Sequence, residues 1–416
     1  MPESLSENRK VLYLSYDGIT DPLGQSQILP YLKRLCQYGY TFFMLGFEKK
    51  QAYKQEGITI RNEIRGFNIV WIPCRYHKWP PVFSTLFDLY LMHRKATKLC
   101  KEKKIIIVHC RSYLPMLIGL MLKTRFRIKL LFDMRGFWAD ERVDGRIWNL
   151  KNPIFNWIYK YFKRKEIQFT TQADHIISLT YAGKEEMTSG RLFRNNNVKI
   201  SEEKITVIPC AVDTELFDPE AVSQEAVNQW KERLNITVED KVLIYLGSLG
   251  TWYMLEEMLI YFKELIEHQP GYKFLFVTKD EMSEAFWLAE RLGLDPTKIL
   301  SKSASRTEVP ELLMMADLGI FFIKPVYSKK ASSATKMGEM MAMGLPFVTN
   351  KGVGDGDDLV QKYGNGVSID LNQFENCRKN LDHLDKISDR QSSIIEEFWL
   401  NNCVAEYRKV YKEVDT

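Results

Sequence analysis

The residues best suited to chemistry lie in four loops. In Ser328-Lys329-Lys330-Ala331-Ser332-Ser333-Ala334-Thr335-Lys336, small hydroxyl side chains and lysines come just before an expected helix. Backbone N–H groups at a helix start, the hydroxyls of Ser332, Ser333 and Thr335, and the Lys336 ammonium would converge on one anion, as a diphosphate needs. Glu339 follows about one turn into that helix, where a carboxylate can accept hydrogen bonds from ribose hydroxyls. The same residues could instead form a plain capped helix. Gly247-Ser248-Leu249-Gly250-Thr251-Trp252-Tyr253 follows an apolar run and offers a second phosphate cradle, or an ordinary turn.

The other two loops lie in the first half. Asp133-Met134-Arg135-Gly136-Phe137-Trp138-Ala139-Asp140-Glu141-Arg142 follows another apolar run, and His109-Cys110-Arg111-Ser112 ends a third. Arg135 can clamp a phosphate or a polar sugar, and Asp140, Glu141 or His109 can take a proton from a hydroxyl. A salt-bridge cluster, with His109 as a hydrogen-bonded structural residue, would also explain them. Tyr16-Asp17-Gly18-Ile19-Thr20-Asp21-Pro22-Leu23-Gly24 lets the backbone pass close to a ligand, but it is not a GxGxxG sequence and does not indicate a dinucleotide.

These loops need a rigid frame. Short apolar runs at Val11–Ser15, Phe42–Gly46, Ile69–Pro73, Ile105–His109, Lys129–Asp133 and Ile176–Thr180 predict strands, with helices such as Gln25–Tyr38 and Leu86–Lys103 between them. After polar Arg191–Lys204 the pattern restarts. Ile205–Pro209 is expected to open the second half, followed by strands at Val242–Gly247, Lys273–Thr278, Leu318–Ile323 and Pro346–Thr349. Helices are expected at Met254–His268, Glu281–Leu292, Val309–Ala316 and Thr335–Met343. Alternation of this kind predicts parallel sheets covered on both faces, with ligands beyond the carboxyl ends of the strands. Gln391–Val414, with Ile394, Ile395, Phe398, Trp399, Val404, Tyr407 and Val410 at near-helical spacing, predicts a terminal helix packing across both domains.

A chain of 416 residues exceeds the size of most single cores. No apolar run reaches the ~20 residues of a membrane span, and Met1–Lys10 lacks a signal peptide's apolar core, so the expected location is cytoplasmic. Seven dispersed cysteines without a CxxC read as reduced thiols, and six isolated histidines give no metal-ligand spacing. The net charge of +5 divides into +14 for residues 1–190 and −9 for the remainder. A basic half suits an anionic surface or simply a solvated face. Asn152–Lys165 mixes aromatics with cations, as either an interfacial helix or a core-packed one does. No nucleic-acid-binding motif is present, and nucleic acid is not an expected partner.

Glu339-x-x-Ala342-x-Gly344-x-Pro346, Ile208–Phe217, Tyr245–Leu249, Ala316–Ile320 and the Gly24 loop together resemble the family-four retaining glycosyltransferases, whose fold is GT-B. Phe132-Asp133-Met134-Arg135-Gly136 is similar to a bacterial subgroup that builds surface polysaccharides. The resemblance implies an α/β chain of two Rossmann-like domains facing across a cleft, with a C-terminal helix crossing back to the first. The expected domains are an acceptor-side domain at 1–200, a nucleotide-sugar-binding domain at 201–393 and the helix at 394–416. It implies transfer of a sugar from a nucleoside diphosphate to a glycan or lipid-linked glycan acceptor. No cofactor or metal is expected, and the anionic inner face of the cytoplasmic membrane is a candidate contact. The expected catalytic residues are Lys336, His109, Arg135, Asp140 and Glu141. Gly24, Gly247, Ser248, Gly250, Arg306, Ser332, Ser333, Thr335, Lys336 and Glu339 are expected around the donor. Two departures stand out: Ala331 occupies the place of the first Glu of the family's E-x7-E motif, and Ser248 that of a common Arg. Lys336 or Arg306 is expected to supply the charge. A nucleotide-sugar epimerase of the same fold and a non-catalytic nucleotide-binding protein are the alternatives.

Overall fold

The computed structural model describes residues 9–196, 198–371 and 396–415. The chain divides into two compact units, Met1–Pro209 with Leu400–Thr416, and Cys210–Trp399.

The first unit holds β1 (Arg9–Ser15), β2 (Tyr40–Glu48), β3 (Ile69–Arg75), β4 (Ile107–Arg111), β5 (Lys129–Asp133), β6 (His175–Ser178) and β7 (Ile205–Val207). They form one parallel sheet in the order β3-β2-β1-β4-β5-β6-β7. Leu12 pairs with Phe43 on one side and Val108 on the other, and Phe132 pairs with Ile176. These residues are all buried, as expected of strands covered on both faces. The order reverses between β1 and β4, which opens a crevice at their carboxyl ends. The helices are α1 (Pro22–Gln27), α2 (Leu29–Cys36), α3 (Lys50–Glu63), α4 (Phe83–Lys103), α5 (Tyr113–Phe126), α6 (Trp138–Asp144), α7 (Pro153–Gln172) and α8 (Tyr181–Thr188).

Two expectations need correction. Gln25–Tyr38 is not one helix but α1 and α2, which meet at Ile28. Pro30 lies at the start of α2, where its missing N–H is tolerated, and it could not sit inside a longer helix without breaking the ladder. Ile205–Pro209 does not open the second unit. Ile205, Thr206 and Val207 pair with Ile176, Ile177 and Ser178 and form the edge of the first sheet.

The second unit has β8 (Lys241–Leu246), β9 (Tyr272–Val277), β10 (Ile299–Lys302), β11 (Leu318–Phe321), β12 (Phe347–Asn350) and β13 (Gly366–Ile369), parallel in the order β10-β9-β8-β11-β12-β13. Its helices are α9 (Gln224–Arg233), α10 (Leu255–His268), α11 (Ser283–Arg291), α12 (Val309–Met315), α13 (Thr335–Ala342) and α14 (Gly356–Tyr363). Gly319 on β11 admits α13 closely, since an added Cβ would lie 2.6 Å from Met340 Sδ.

The terminal helix, α15, spans Leu400–Asp415. Residues 391–395 of the expected helix, with Ile394 and Ile395, lie outside the described residues, as do Cys377 and residues 1–8. Glu396–Phe398 form a single 3-10 turn, and Phe398 packs in the core of the second unit. From Leu400 the chain belongs to the first unit, where α15 packs on α2 and β5. Cys403, Tyr407, Val410, Tyr411 and Val414 face inward at helical spacing. Tyr411 Oη lies 2.7 Å from His109 Nδ1, and Asp133 Oδ2 lies 3.5 Å from His109 Nε2. The carboxylate places the imidazole proton on Nε2, so the Tyr411 O–H donates to Nδ1. Replacing Tyr411 by Phe strands this buried acceptor. Urea denaturation should show a loss of about 1–3 kcal/mol; unchanged stability would mean that the bond contributes nothing.

Candidate active site

In the second unit the chemistry gathers where β8 ends. Gly247 follows the strand at φ +123°, and an added Cβ would lie 3.1 Å from Lys336 Nζ. Only glycine accepts both the backbone angle and that approach. Lys336, in the first turn of α13, is only 8 % exposed. Its Nζ sits over the rings of Tyr253 and Tyr245, 3.6 Å and 4.4 Å from their centroids, and donates to Tyr245 Oη at 3.3 Å. Tyr245 Oη in turn donates to the Ser248 carbonyl at 2.5 Å. Burial lowers the Lys336 pKa to about 7, with Glu339 opposing the shift. The ammonium is thus presented at the loop with little water of its own.

The loop is pinned on both sides. Leu249 N–H donates to Asp280 at 2.8 Å, and Tyr253 forms a backbone bridge with Ile323. Among the described residues no side chain caps α13 at Ala334; Met337 N–H donates to the Ala334 carbonyl at 3.0 Å, and the Thr335 and Lys336 amides come before it at the helix start. Ser333 Oγ accepts from Cys210 N–H at 3.2 Å, which ties the first residue of the second unit to the loop before α13. Ser332 and Thr335 are half-buried beside it, and Ser248 and Gly250 are exposed. Buried Glu339 accepts from Arg306 Nη1 through Oε1, and the Arg306 guanidinium lies over Phe217 at 4.6 Å. Ala331 is buried. The sequence places Tyr253 in this loop and Tyr245 just before it, but nothing in their spacing marks the two as a cation's cage. Lys329, one of the lysines before α13, is buried against Trp252 with Nζ 3.8 Å from the ring centroid, a packing that the sequence did not indicate.

In the first unit Asp133, fully buried at the end of β5, gathers His109, Arg111 and Arg135. Arg111 Nη1 and Arg135 Nη1 lie 3.5 and 3.7 Å from it. Burial alone would raise the Asp133 pKa, but Arg135, His109 and Arg111 outweigh it and hold the group ionised. Burial lowers that of His109 and keeps its ring neutral. The strand ends carry strain: Ser112 has φ +69°, Arg135 +55° and Gly136 +123°.

Asp140 lies in a separate network, accepting from Tyr159 and Lys163, each at 2.8 Å. Lys163 also reaches Glu166, whose pKa burial raises to about 7, and Glu166 accepts from Tyr113. Asp140 therefore ties α6 to α7. Glu141 is half-buried on α6. Gly24 is needed by its own loop, since an added Cβ would lie 2.2 Å from the Gly18 carbonyl oxygen. That loop hangs on buried Glu48, which accepts from the Ile19 and Thr20 amides, the Thr20 hydroxyl and the Trp71 indole. A lone acid at a strand end gave no signal in the sequence. Among the described residues there is no cluster of three or more His, Cys, Asp or Glu able to hold a metal.

Comparison with known proteins agrees with this arrangement. Residues 32–216 match the family model described as Glycosyltransferase Family 4, and residues 227–397 match Glycosyl transferases group 1. The two models together span most of the chain, which belongs to the glycosyltransferases of the GT-B fold. It is similar to TuaH of Bacillus subtilis (strain 168), named for teichuronic acid biosynthesis, at 26 % identity over 225 residues. That match covers 53 % of this chain, and the chain spans about half the length of this curated relative, 50 %. The fold is shared with sucrose-phosphate synthase of Thermosynechococcus elongatus, at TM-score 0.71 and 12 % identity, covering 98 % of this chain and 99 % of that one. It is shared too with HepE of Anabaena in complex with UDP and glucose, at TM-score 0.68 and 14 % identity, covering 97 % and 99 %.

The desolvated lysine makes a prediction about stability. Below about pH 7 both folded and unfolded states carry its proton, and the folded state bears the full cost of burying it. Between about pH 7 and the unfolded value near 10.5 the folded lysine is neutral while the unfolded one is charged, so that cost shrinks as pH rises. Lys336→Met should be more stable than wild type, with the gap widest at pH 7 and below and closing toward pH 10.5. Urea denaturation across this range measures it, and a pH-independent gap would contradict the assignment.

Proposed function

We propose that the enzyme transfers a sugar, with retention, from a nucleoside-diphosphate donor to a glycan or lipid-linked glycan acceptor in cell-surface polysaccharide synthesis. One observation carries this reading: a desolvated lysine ammonium held at the Gly247 turn beside the uncapped start of α13. Transfer leaves negative charge on the departing diphosphate. Preorganised donors aimed at that charge lower the barrier most, and they act most strongly where water is excluded. Lys336 and the first amides of α13 would receive the diphosphate, with the Gly247–Gly250 turn, Ser332 and Thr335 around it. A ribose would bond Glu339 through the oxygen that Arg306 does not hold. With these groups supplying the charge, the reading needs no metal.

His109, Arg135 and Glu141 are assigned to the sugar and acceptor side. Asp140 would act there only indirectly, by setting the position of α6. The HepE structure with UDP and glucose supports a nucleotide-sugar partner. The TuaH name supports a role in surface polysaccharide. Both matching family models describe glycosyltransferases, which favours transfer over epimerisation. Among the described residues no helix is long and apolar enough to cross a membrane. The basic first half suits work at the anionic inner face of the cytoplasmic membrane.

A thermal-shift panel of nucleoside diphosphates and nucleotide sugars tests the donor site. One base should stabilise the wild type selectively, and Glu339→Ala should lose that shift. Lys336→Ala should lower kcat/KM on the order of a hundredfold. A wild type unmoved by every nucleotide, or near-normal turnover of Lys336→Ala, would overturn the proposal.

A further inference from the structure

The start of α4 carries an apolar surface that the transferase site does not use. Phe83, Leu86, Phe87 and Tyr90 stand at i, i+3, i+4 and i+7, the spacing of one helix face, and all four are exposed. Trp79, in the loop before the helix, is 79 % exposed and Phe83 72 %. The opposite face is the one that packs: Ser84, Asp88, Leu89, Met92, Ala96 and Cys100 are buried. Scattered exposed apolar residues are normal in a soluble protein, but a contiguous group of large ones marks a contact surface.

The loop is held in place. Asp88 accepts from the Tyr16 hydroxyl at 3.0 Å and from the His77 amide at 3.1 Å, and its other oxygen meets the His77 ring at 2.5 Å. The His77 ring also packs on Phe87, with centroids 5.3 Å apart. Trp79 and the first turns of α4 are therefore presented together.

Charge decides what this surface meets. Farther along α4 the outward face continues as Arg94, Lys98 and Lys101, all exposed, with Arg75 and Lys78 on the approach to Trp79. From Arg75 to Lys101 the sole acid is Asp88, which is buried. One residue past Lys101 the exposed Glu102 pairs with Lys98 at 3.8 Å, a single carboxylate among a larger number of cations. Large aromatics flanked by such an excess of positive charge suit a surface that is apolar inside and negatively charged at its boundary. A protein partner or a second copy of the chain would need matching carboxylates, which an anionic bilayer does not.

We propose that the face formed by Trp79, Phe83, Leu86, Phe87 and Tyr90 seats in the boundary of an anionic lipid bilayer, with Arg94, Lys98 and Lys101 on the headgroups. The proposal rests on the membrane part of the reading above and on nothing in the donor site. It gives that role to α4 rather than to α7, the helix the sequence offered as interfacial. Among its described residues α7 exposes Ile154 and Trp157 as large apolar side chains, while Phe162 and Phe169 pack inward.

Flotation with vesicles of phosphatidylcholine, with and without phosphatidylglycerol, tests it on the full chain. Wild type should bind the anionic vesicles and lose binding as salt rises. Phe83→Ser with Phe87→Ser should weaken partition on the order of tenfold or more, while Trp157→Ser should leave most of it. Brominated lipids should quench wild-type fluorescence, and Trp79→Phe should remove that quenching. An unchanged nucleotide thermal shift in these variants would show that they are folded and separate this test from that of the donor site. Wild type that fails to float, an α4 variant that floats like wild type, or a wild-type dimer that the α4 variant dissolves would each overturn the proposal.

Discussion

The second unit is organised around a positive charge kept out of water. Lys336 costs stability where it lies, since burial lowers its pKa and the charge is offset by two tyrosine rings and one hydroxyl. The surrounding features serve that placement. Gly247 leaves room for the ammonium, the Tyr245 hydroxyl links it to the Ser248 carbonyl, and the bridge from Tyr253 to Ile323 keeps the second ring in position. A lysine held out of water at this turn, with only rings and one hydroxyl around its nitrogen, is preorganised for an anion that restores its charge. Glu339, one turn on, pairs with Arg306 and still partly opposes the desolvation of Lys336.

The first unit follows a different plan. Its central ionisable cluster surrounds a carboxylate, Asp133, balanced by two arginines and a neutral histidine and covered by Tyr407 and Tyr411 of α15. The helix supplies hydrogen bonds as well as apolar cover, which ties the chain's last residues to the strand ends of β4 and β5. Glu48 gives the neighbouring loop an equivalent anchor, with four donors on one carboxylate. The strand ends carry strained backbone at Ser112 and Arg135.

Much of this was legible in the sequence, and what was not has a physical cause. Strands such as Lys129–Asp133 stood out because both faces are buried and the run is apolar throughout. The loop before α13 was legible because lysine, hydroxyls and a helix start occur in one stretch. Membership of a sheet was not: Ile205–Val207 looks like any short β run, and only pairing with β6 assigns it. The cage around Lys336 was hidden because Tyr245 lies 91 positions away and reads as an ordinary strand aromatic. Asp140 has partners that the sequence did not show. Its loop is dense in charge, but Tyr159 and Lys163 on the next helix take up its carboxylate. The face of α4 was obscured because its aromatics resemble a helix core until the inward side is seen to be filled by others.

If Lys336 meets the donor's diphosphate, the ligand must restore the proton that burial removes. Calorimetric titration of the tightest-binding nucleoside diphosphate, at pH values just above 7 and in buffers of different ionisation enthalpy, counts the protons taken up. The account predicts net uptake by the wild type that disappears in Lys336→Met. Binding without proton uptake, or uptake that persists in the variant, would contradict it.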